Sequence, residues 1–195
     1  MLTSYSSLAI DEIICSRRSN AAIAYVYFDY KNREIQTGDY IVRTILKQLL
    51  VQLKTIPRDV EATYDDCCSR LKQPEKTFFV QQLLSMVARF GSVYVLLDAL
   101  DECTDATLEN IIHLICQLKD SEFKVFCTFR PNIITLSDKL NVLVHTIHAH
   151  DEDVRNYLSI RLKKEWLHDE SFLPEIIDQL GKTAKGKFVS LVFIC

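Results

Sequence analysis

The spacing of apolar positions along this 195-residue chain changes several times, and each change predicts an element. Over 4–17, Leu8, Ile13 and Ile14 sit among polar residues, which reads as a helix with no strand ahead of it. The continuous apolar run Ala-Ala-Ile-Ala-Tyr-Val-Tyr-Phe over 21–28 reads as a strand that ends at Asp29 and the polar turn 31–34. Ile41, Ile45, Leu46, Leu49, Leu50 and Leu53 then recur at steps of three and four, the strongest helical stripe in the chain, closed by Pro57. Val60, Tyr64, Cys67 or Cys68, and Leu71 predict another helix. Phe79, Leu83, Leu84, Val87 and Phe90 predict one more, stopped by Gly91 in the left-handed conformation that ends helices.

Beyond Gly91 the period shortens. Val93-Tyr94-Val95-Leu96-Leu97 runs straight into Asp98, with Asp101 and Glu102 close behind. A β-branched, strand-length run of this kind is a buried parallel strand whose C-terminal tip carries polar chemistry. A helix with Leu108, Ile111, Ile112, Ile115 and Leu118 inward follows, then a strand over 123–129 ending at Arg130-Pro131, then a strand over 142–147. From about residue 150 the pattern turns helical: Val154, Leu158 and Leu162, then Phe172, Ile176, Ile177 and Leu180, with Gly181 as a stop. Alternating strands and helices predict an α/β fold, a parallel sheet flanked by helices, followed by the start of a smaller helical domain.

Composition narrows the function classes. Gly 4 and Pro 4 are low for this length and favour long regular elements. Lys+Arg 23 against Asp+Glu 26 gives a net charge of -3, which argues against a generic nucleic-acid surface. The seven cysteines contain no C-x-x-C pair, and with no secretory signal ahead of them the expectation is reduced, mostly buried thiols in a cytoplasmic protein. No apolar run reaches the roughly 18 to 20 residues of a membrane-spanning helix.

The acidic tip is the first candidate for chemistry. Mg²⁺ at a phosphate-transfer site needs a hard oxygen ligand, and a carboxylate at the end of a buried strand supplies one on a rigid base. Asp98 takes that role, and Asp101 or Glu102 can orient or deprotonate an attacking water. The competing account is a solvated acidic turn, with Asp101 or Glu102 capping the helix that begins near Thr104. Thr128 and Arg130, at the end of the 123–129 strand, come next: the cation can sense a γ-phosphate beside the acidic tip, or simply pair with a surface acid. A phosphate loop needs G-x-x-x-x-G-K-[ST]. The only Gly-Lys-Thr is Gly181-Lys182-Thr183, where the first glycine of the motif is replaced by Ile176 and a helix precedes it, so it reads as a helix cap and a basic turn. His145, His148 and His150 beside Asp151 and Asp153 do not follow a zinc spacing, and a strand-to-helix turn explains them better.

These residues resemble a known family. Asp98-Ala99-Leu100-Asp101-Glu102 after its apolar run resembles the extended acidic motif of NACHT domains, nucleotide-switch ATPases of the STAND class. Thr128-Phe129-Arg130-Pro131 resembles their sensor strand, with Phe129 in place of a small residue. The segments 24–30 and 45–53 are similar to the second strand and helix of fungal, nephrocystin-3 N-terminal-like NACHT proteins, which carry ankyrin or other repeats downstream. Residues 148–158 resemble the passage into the family's helical domain, and 185–189 its later Gly-x-Phe segment.

The resemblance implies a partial nucleotide-binding domain over 1–147 and the start of a helical domain over 148–195. It implies Mg²⁺ with ATP or GTP as cofactors of the intact domain, and self-association through it. Met1-Leu2-Thr3-Ser4 looks like the residues directly after the family's Gly-Lys-Thr, so the chain is expected to begin just past the phosphate loop and to lack the strand that feeds it. Strands 123–129 and 142–147 would then be gapped or forced to pair directly. The function implied is a truncated NACHT-type domain with weak or no nucleotide binding. The alternatives are a fragment of a working switch protein and a non-catalytic oligomerisation module.

Overall fold

The computed structural model describes residues 2–16, 20–130, 143–148, 151–165, 172–184 and 188–194. The described strands are β1 (Ala21–Tyr27), β2 (Ser92–Asp98), β3 (Lys124–Phe129), β4 (Leu143–His148) and β5 (Phe188–Ile194). They lie in one sheet in the order β1-β2-β3-β5-β4. β1, β2 and β3 are parallel, and β5 runs antiparallel to both β3 and β4. The helices are α1 (Leu2–Ser16), α2 (Gly38–Gln52), α3 (Arg58–Arg70), α4 (Lys76–Leu84), α5 (Asp105–Asp120), α6 (Asp151–Glu165) and α7 (Leu173–Ala184). This is the expected α/β architecture: a three-stranded parallel sheet flanked by helices, consistent with a P-loop-like fold.

Alternation along the strands sorts side chains to two unequal cores. Ala22, Ala24 and Val26 of β1, Val93, Val95 and Leu97 of β2, and Val125, Cys127 and Phe129 of β3 face a large cluster with α2, α4 and α5. Ile23, Leu96 and Phe126 point the other way, where Ile10 of α1 covers them. The α2 stripe is as predicted: Ile41, Ile45, Leu46 and Leu49 are buried, with Leu50 and Leu53 packed against the same cluster. Thr37 caps the helix by accepting from the Tyr40 N–H, and Asp39 lies in its positive first turn. At α5 the cap is Thr104, which accepts from the Thr107 N–H at 3.2 Å, so neither Asp101 nor Glu102 serves as the cap.

Several expectations are corrected. The inward face of α1 is Ser6, Ile10 and Ile13, while Leu8 is 64% exposed and Ile14 42%. α3 forms but buries nothing, and Leu71 is a 95% exposed left-handed cap whose neighbour Lys72 donates its N–H to the Cys67 carbonyl. Gly91 is not left-handed: α4 tightens into a 3-10 turn over Ser85–Ala88, and the Gly91 N–H donates to the Asn20 carbonyl at 2.7 Å. Gly181 does not stop α7, which continues to Ala184.

The largest departure is β5. The helical pattern beyond residue 150 holds for α6 and α7, but the chain then returns to the sheet. Phe-Val-Ser-Leu-Val-Phe-Ile is strand-length and mostly β-branched or aromatic, which suits a strand with neighbours on both sides. It pairs with β3 from Val125↔Ile194 to Phe129↔Ser190, and with β4 from Leu143↔Phe193 to His148↔Phe188. Strands β3 and β4 are therefore neither gapped nor directly paired, and β5 supplies their backbone partners.

The unequal cores give a test by equilibrium urea unfolding. Ile45→Ala, at a fully buried position, is expected to cost about 2–5 kcal/mol. Val51→Ala on the same helix, 77% exposed, should stay within about 0.5 kcal/mol.

Candidate functional site

Asp98 ends β2 at the C-terminal edge of the parallel strands, the side on which such sheets bind ligands. It is 3% exposed. A carboxylate so far from water needs donors from the protein, and they come from two other elements. The hydroxyls of Ser6 on α1 and Thr128 on β3 both donate to Asp98 Oδ1, the latter at 2.5 Å. Thr128 Oγ1 also accepts the Ala99 N–H at 2.8 Å. Ala99 stands in the left-handed region (φ 61°, ψ 50°), which turns the chain sharply off the strand. The Asp98 carbonyl accepts the Phe28 N–H at 3.0 Å, tying in the end of β1.

Asp101 and Glu102 lie in the 3-10 turn Leu100–Glu102 that follows. Arg130, just past β3, reaches both. Its N–H donates to Asp101 Oδ1 at 3.1 Å, its Nε lies 3.3 Å from Asp101 Oδ2, and its Nη2 lies 3.8 Å from Glu102 Oε1. Glu102 Oε2 also accepts the Tyr30 N–H at 3.1 Å. The Arg130 side chain is 58% exposed and that of Asp101 11%, so this pairing sits at the rim of the site.

The structure thus groups the predicted residues in two sets, Asp98 with Thr128 and Arg130 with Asp101 and Glu102. Sequence reading missed Ser6, although its signal was present: it opens the series Ser6, Ile10, Ile13, a polar residue heading the inward face of a helix. Three carboxylates against one guanidinium leave excess negative charge, and the donor set is oxygen-only. That fits Mg²⁺, which is typically held through one or two carboxylates plus substrate phosphates. Among the described residues no three His, Cys, Asp or Glu side chains form a metal-binding group. His145 and His148 lie in β4, and His150 lies outside the described residues. Gly181-Lys182-Thr183 lies in the last turns of α7, away from any strand-to-helix phosphate loop.

The cysteines near the site are packing groups. The Cys103 thiol donates to the Leu100 carbonyl at 2.9 Å, and burial, with Asp101 and Asp105 nearby, pushes it up to about 11. Cys127 is fully buried, and burial alone raises its thiol far above the usual range.

Two substitutions test the carboxylate's support. Thr128→Val removes a hydroxyl that donates to Asp98 and should cost about 1.5–3 kcal/mol, Ser6→Ala a similar amount, while Thr128→Ser keeps most of the stability. Their double mutant should be non-additive in urea unfolding, because both donors share one oxygen. In thiol labelling at pH 8, Cys103 should react at least about a hundredfold more slowly than exposed Cys15 and Cys68, since thiolate is the reactive form.

Set against known proteins, the family profile described as "Nephrocystin 3, N-terminal" matches residues 3–130. That span covers every site residue named above. No curated protein and no solved structure matches the chain.

Proposed function

The chain belongs to the nephrocystin-3 N-terminal family, and from that premise we propose that it is a NACHT-type nucleotide-binding and signalling domain of the STAND class. The observation that carries this reading is Asp98, a strand-end carboxylate held 3% exposed by hydroxyls from α1 and β3. In this reading Asp98 holds Mg²⁺ directly or through water, and the metal supplies charge neutralisation to the phosphates of ATP or GTP. Asp101 and Glu102 position the attacking water, Arg130 senses the terminal phosphate, and Thr128 keeps Asp98 oriented. Ser6 joins them as a second orienting hydroxyl.

These 195 residues hold no G-x-x-x-x-G-K-[ST], the loop whose backbone N–H groups and lysine provide most of the phosphate grip. Nucleotide affinity of the chain as it stands is accordingly weak, and its role is in switching and self-association more than in turnover. No helix among the described residues is long and apolar enough to cross a membrane. A cytoplasmic location without nucleic-acid or membrane partners completes the proposal.

The test is a titration of Mg²⁺ and a fluorescent ATP or GTP analogue against this chain and against a version extended at its N-terminus by a strand and a G-x-x-x-x-G-K-T loop. The extended chain should bind at micromolar concentration and lose at least about tenfold in affinity with Asp98→Asn. The 195-residue chain should bind only at millimolar concentration or above. Micromolar binding by the short chain, or Mg²⁺-independent binding by the extended one, overturns the assignment.

A further inference from the structure

Among the described strands β1 lies at an edge of the sheet, and its sequence is the kind that adds strands. Residues 21–28 carry no charge and no proline, and they include isoleucine, valine, two tyrosines and phenylalanine. Such a segment with a free edge pairs readily with an identical one. Yet at Ile23, Tyr25 and the Tyr27 carbonyl its outward backbone groups are occupied, by side chains instead of a strand.

Gln52 accepts the Ile23 N–H at 3.1 Å and donates back to the Ile23 carbonyl at 2.6 Å. Gln48 does the same to Tyr25, accepting its N–H at 3.1 Å and donating to its carbonyl at 2.8 Å. Each amide reproduces the double exchange of a hydrogen-bonded pair in an antiparallel ladder. Gln36 accepts the Asp29 N–H at 3.0 Å and donates to the Tyr27 carbonyl at 2.8 Å, bridging two residues as a parallel neighbour would.

The spacing explains why α2 can do this. Four helical residues rise about 6 Å and two strand residues about 6.6 Å, so glutamines at 48 and 52 stay in step with Tyr25 and Ile23. The Gln52 amide is itself steadied by donating to the Gln48 carbonyl at 2.8 Å. Outside the amides the edge opens on a groove of about 910 Å³ lined in part by Ile23, Tyr25, Tyr40 and Lys47, so a strand could approach it.

We propose that Gln36, Gln48 and Gln52 form a surrogate strand that keeps β1 from pairing with β1 of a second copy of this chain. The partner that this edge fits is that second copy, antiparallel about a two-fold axis, and the glutamines hold it off. Any self-association of the native domain then uses another face.

The test compares the native chain with Gln48→Ala/Gln52→Ala, checked for folding by circular dichroism, with Gln48→Ala alone if the pair unfolds. In hydrogen exchange at high dilution, the Ile23 and Tyr25 amides should be protected in the native chain and exchange at least about tenfold faster in the variant. In light scattering at rising concentration, the variant should gain a dimerisation step beyond whatever association the native chain shows. Adding Tyr25→Pro, which removes the outward N–H at a place where an edge strand tolerates proline, should abolish that dimer. Native exchange at Ile23 and Tyr25 as fast as in the variant overturns the proposal, as does a folded variant that gains no association or whose association survives Tyr25→Pro.

Discussion

A carboxylate withdrawn from water at the tip of a central strand must be solvated by the protein, and Asp98 imposes that demand on the elements around it. It explains why α1 lies where it does. Among the described side chains of this helix Ser6 and Ile10 are buried and Ile13 half-buried, and Ser6 reaches the one oxygen that also takes the Thr128 hydroxyl. It also explains why Thr128, on the strand beside β2, is polar at a fully buried position; the same hydroxyl accepts the N–H of Ala99, where the backbone turns left-handed. Remove the carboxylate and these features lose their common purpose.

The two helical faces of the sheet divide the remaining work. α2, α4 and α5 bury the bulk of the apolar surface, so stability rests on that side. Among the described residues the α1 side holds fewer apolar groups, and it carries the hydroxyl contact to Asp98. α2 serves the sheet twice, with Ile41, Ile45 and Leu49 on its apolar face and Gln48 and Gln52 on the flank that meets β1. Within the sheet, β5 meets the same requirement by ordinary means, pairing with β3 on one side and β4 on the other.

What was legible in the sequence is what periodicity encodes. The α2 stripe, the acidic strand and the Thr128–Arg130 strand end could be read because burial forces a repeat of 3.6 or a continuous apolar run. The nearness of Arg130 to Asp101 and Glu102 followed from two parallel neighbours ending on one side. Contacts between distant segments left weaker marks. Ser6 looked like one more polar residue in a polar stretch, and Gln48 and Gln52 carry no mark in the sequence, because period four alone does not tell an amide on backbone from one in water. Glycine misled twice: Gly91 and Gly181 sit near helix ends without the left-handed turn, while Leu71 and Ala99 adopt it. At those two residues, local hydrogen bonds, Lys72 N–H to Cys67 and Ala99 N–H to Thr128, offset the strain.

The two halves of the site differ in how firmly they are held. Asp98 is fixed by buried, charge-assisted hydroxyl contacts that a solvent ion cannot easily replace. Arg130 is more than half exposed, and ion pairs so placed are worth only about 0–1 kcal/mol. An incoming phosphate can therefore compete for its guanidinium without disturbing the strand, because the Arg130 backbone N–H remains on Asp101. On the proposed reading an anion that takes the guanidinium shifts the pair toward its open state, releasing Asp101 Oδ2 and Glu102 Oε1 while their backbone N–H contacts stay. On the same reading, a rigid interior anchor beside a weakly held rim pair would turn ligand occupancy into a local rearrangement of charge, with Asp98 as the fixed reference.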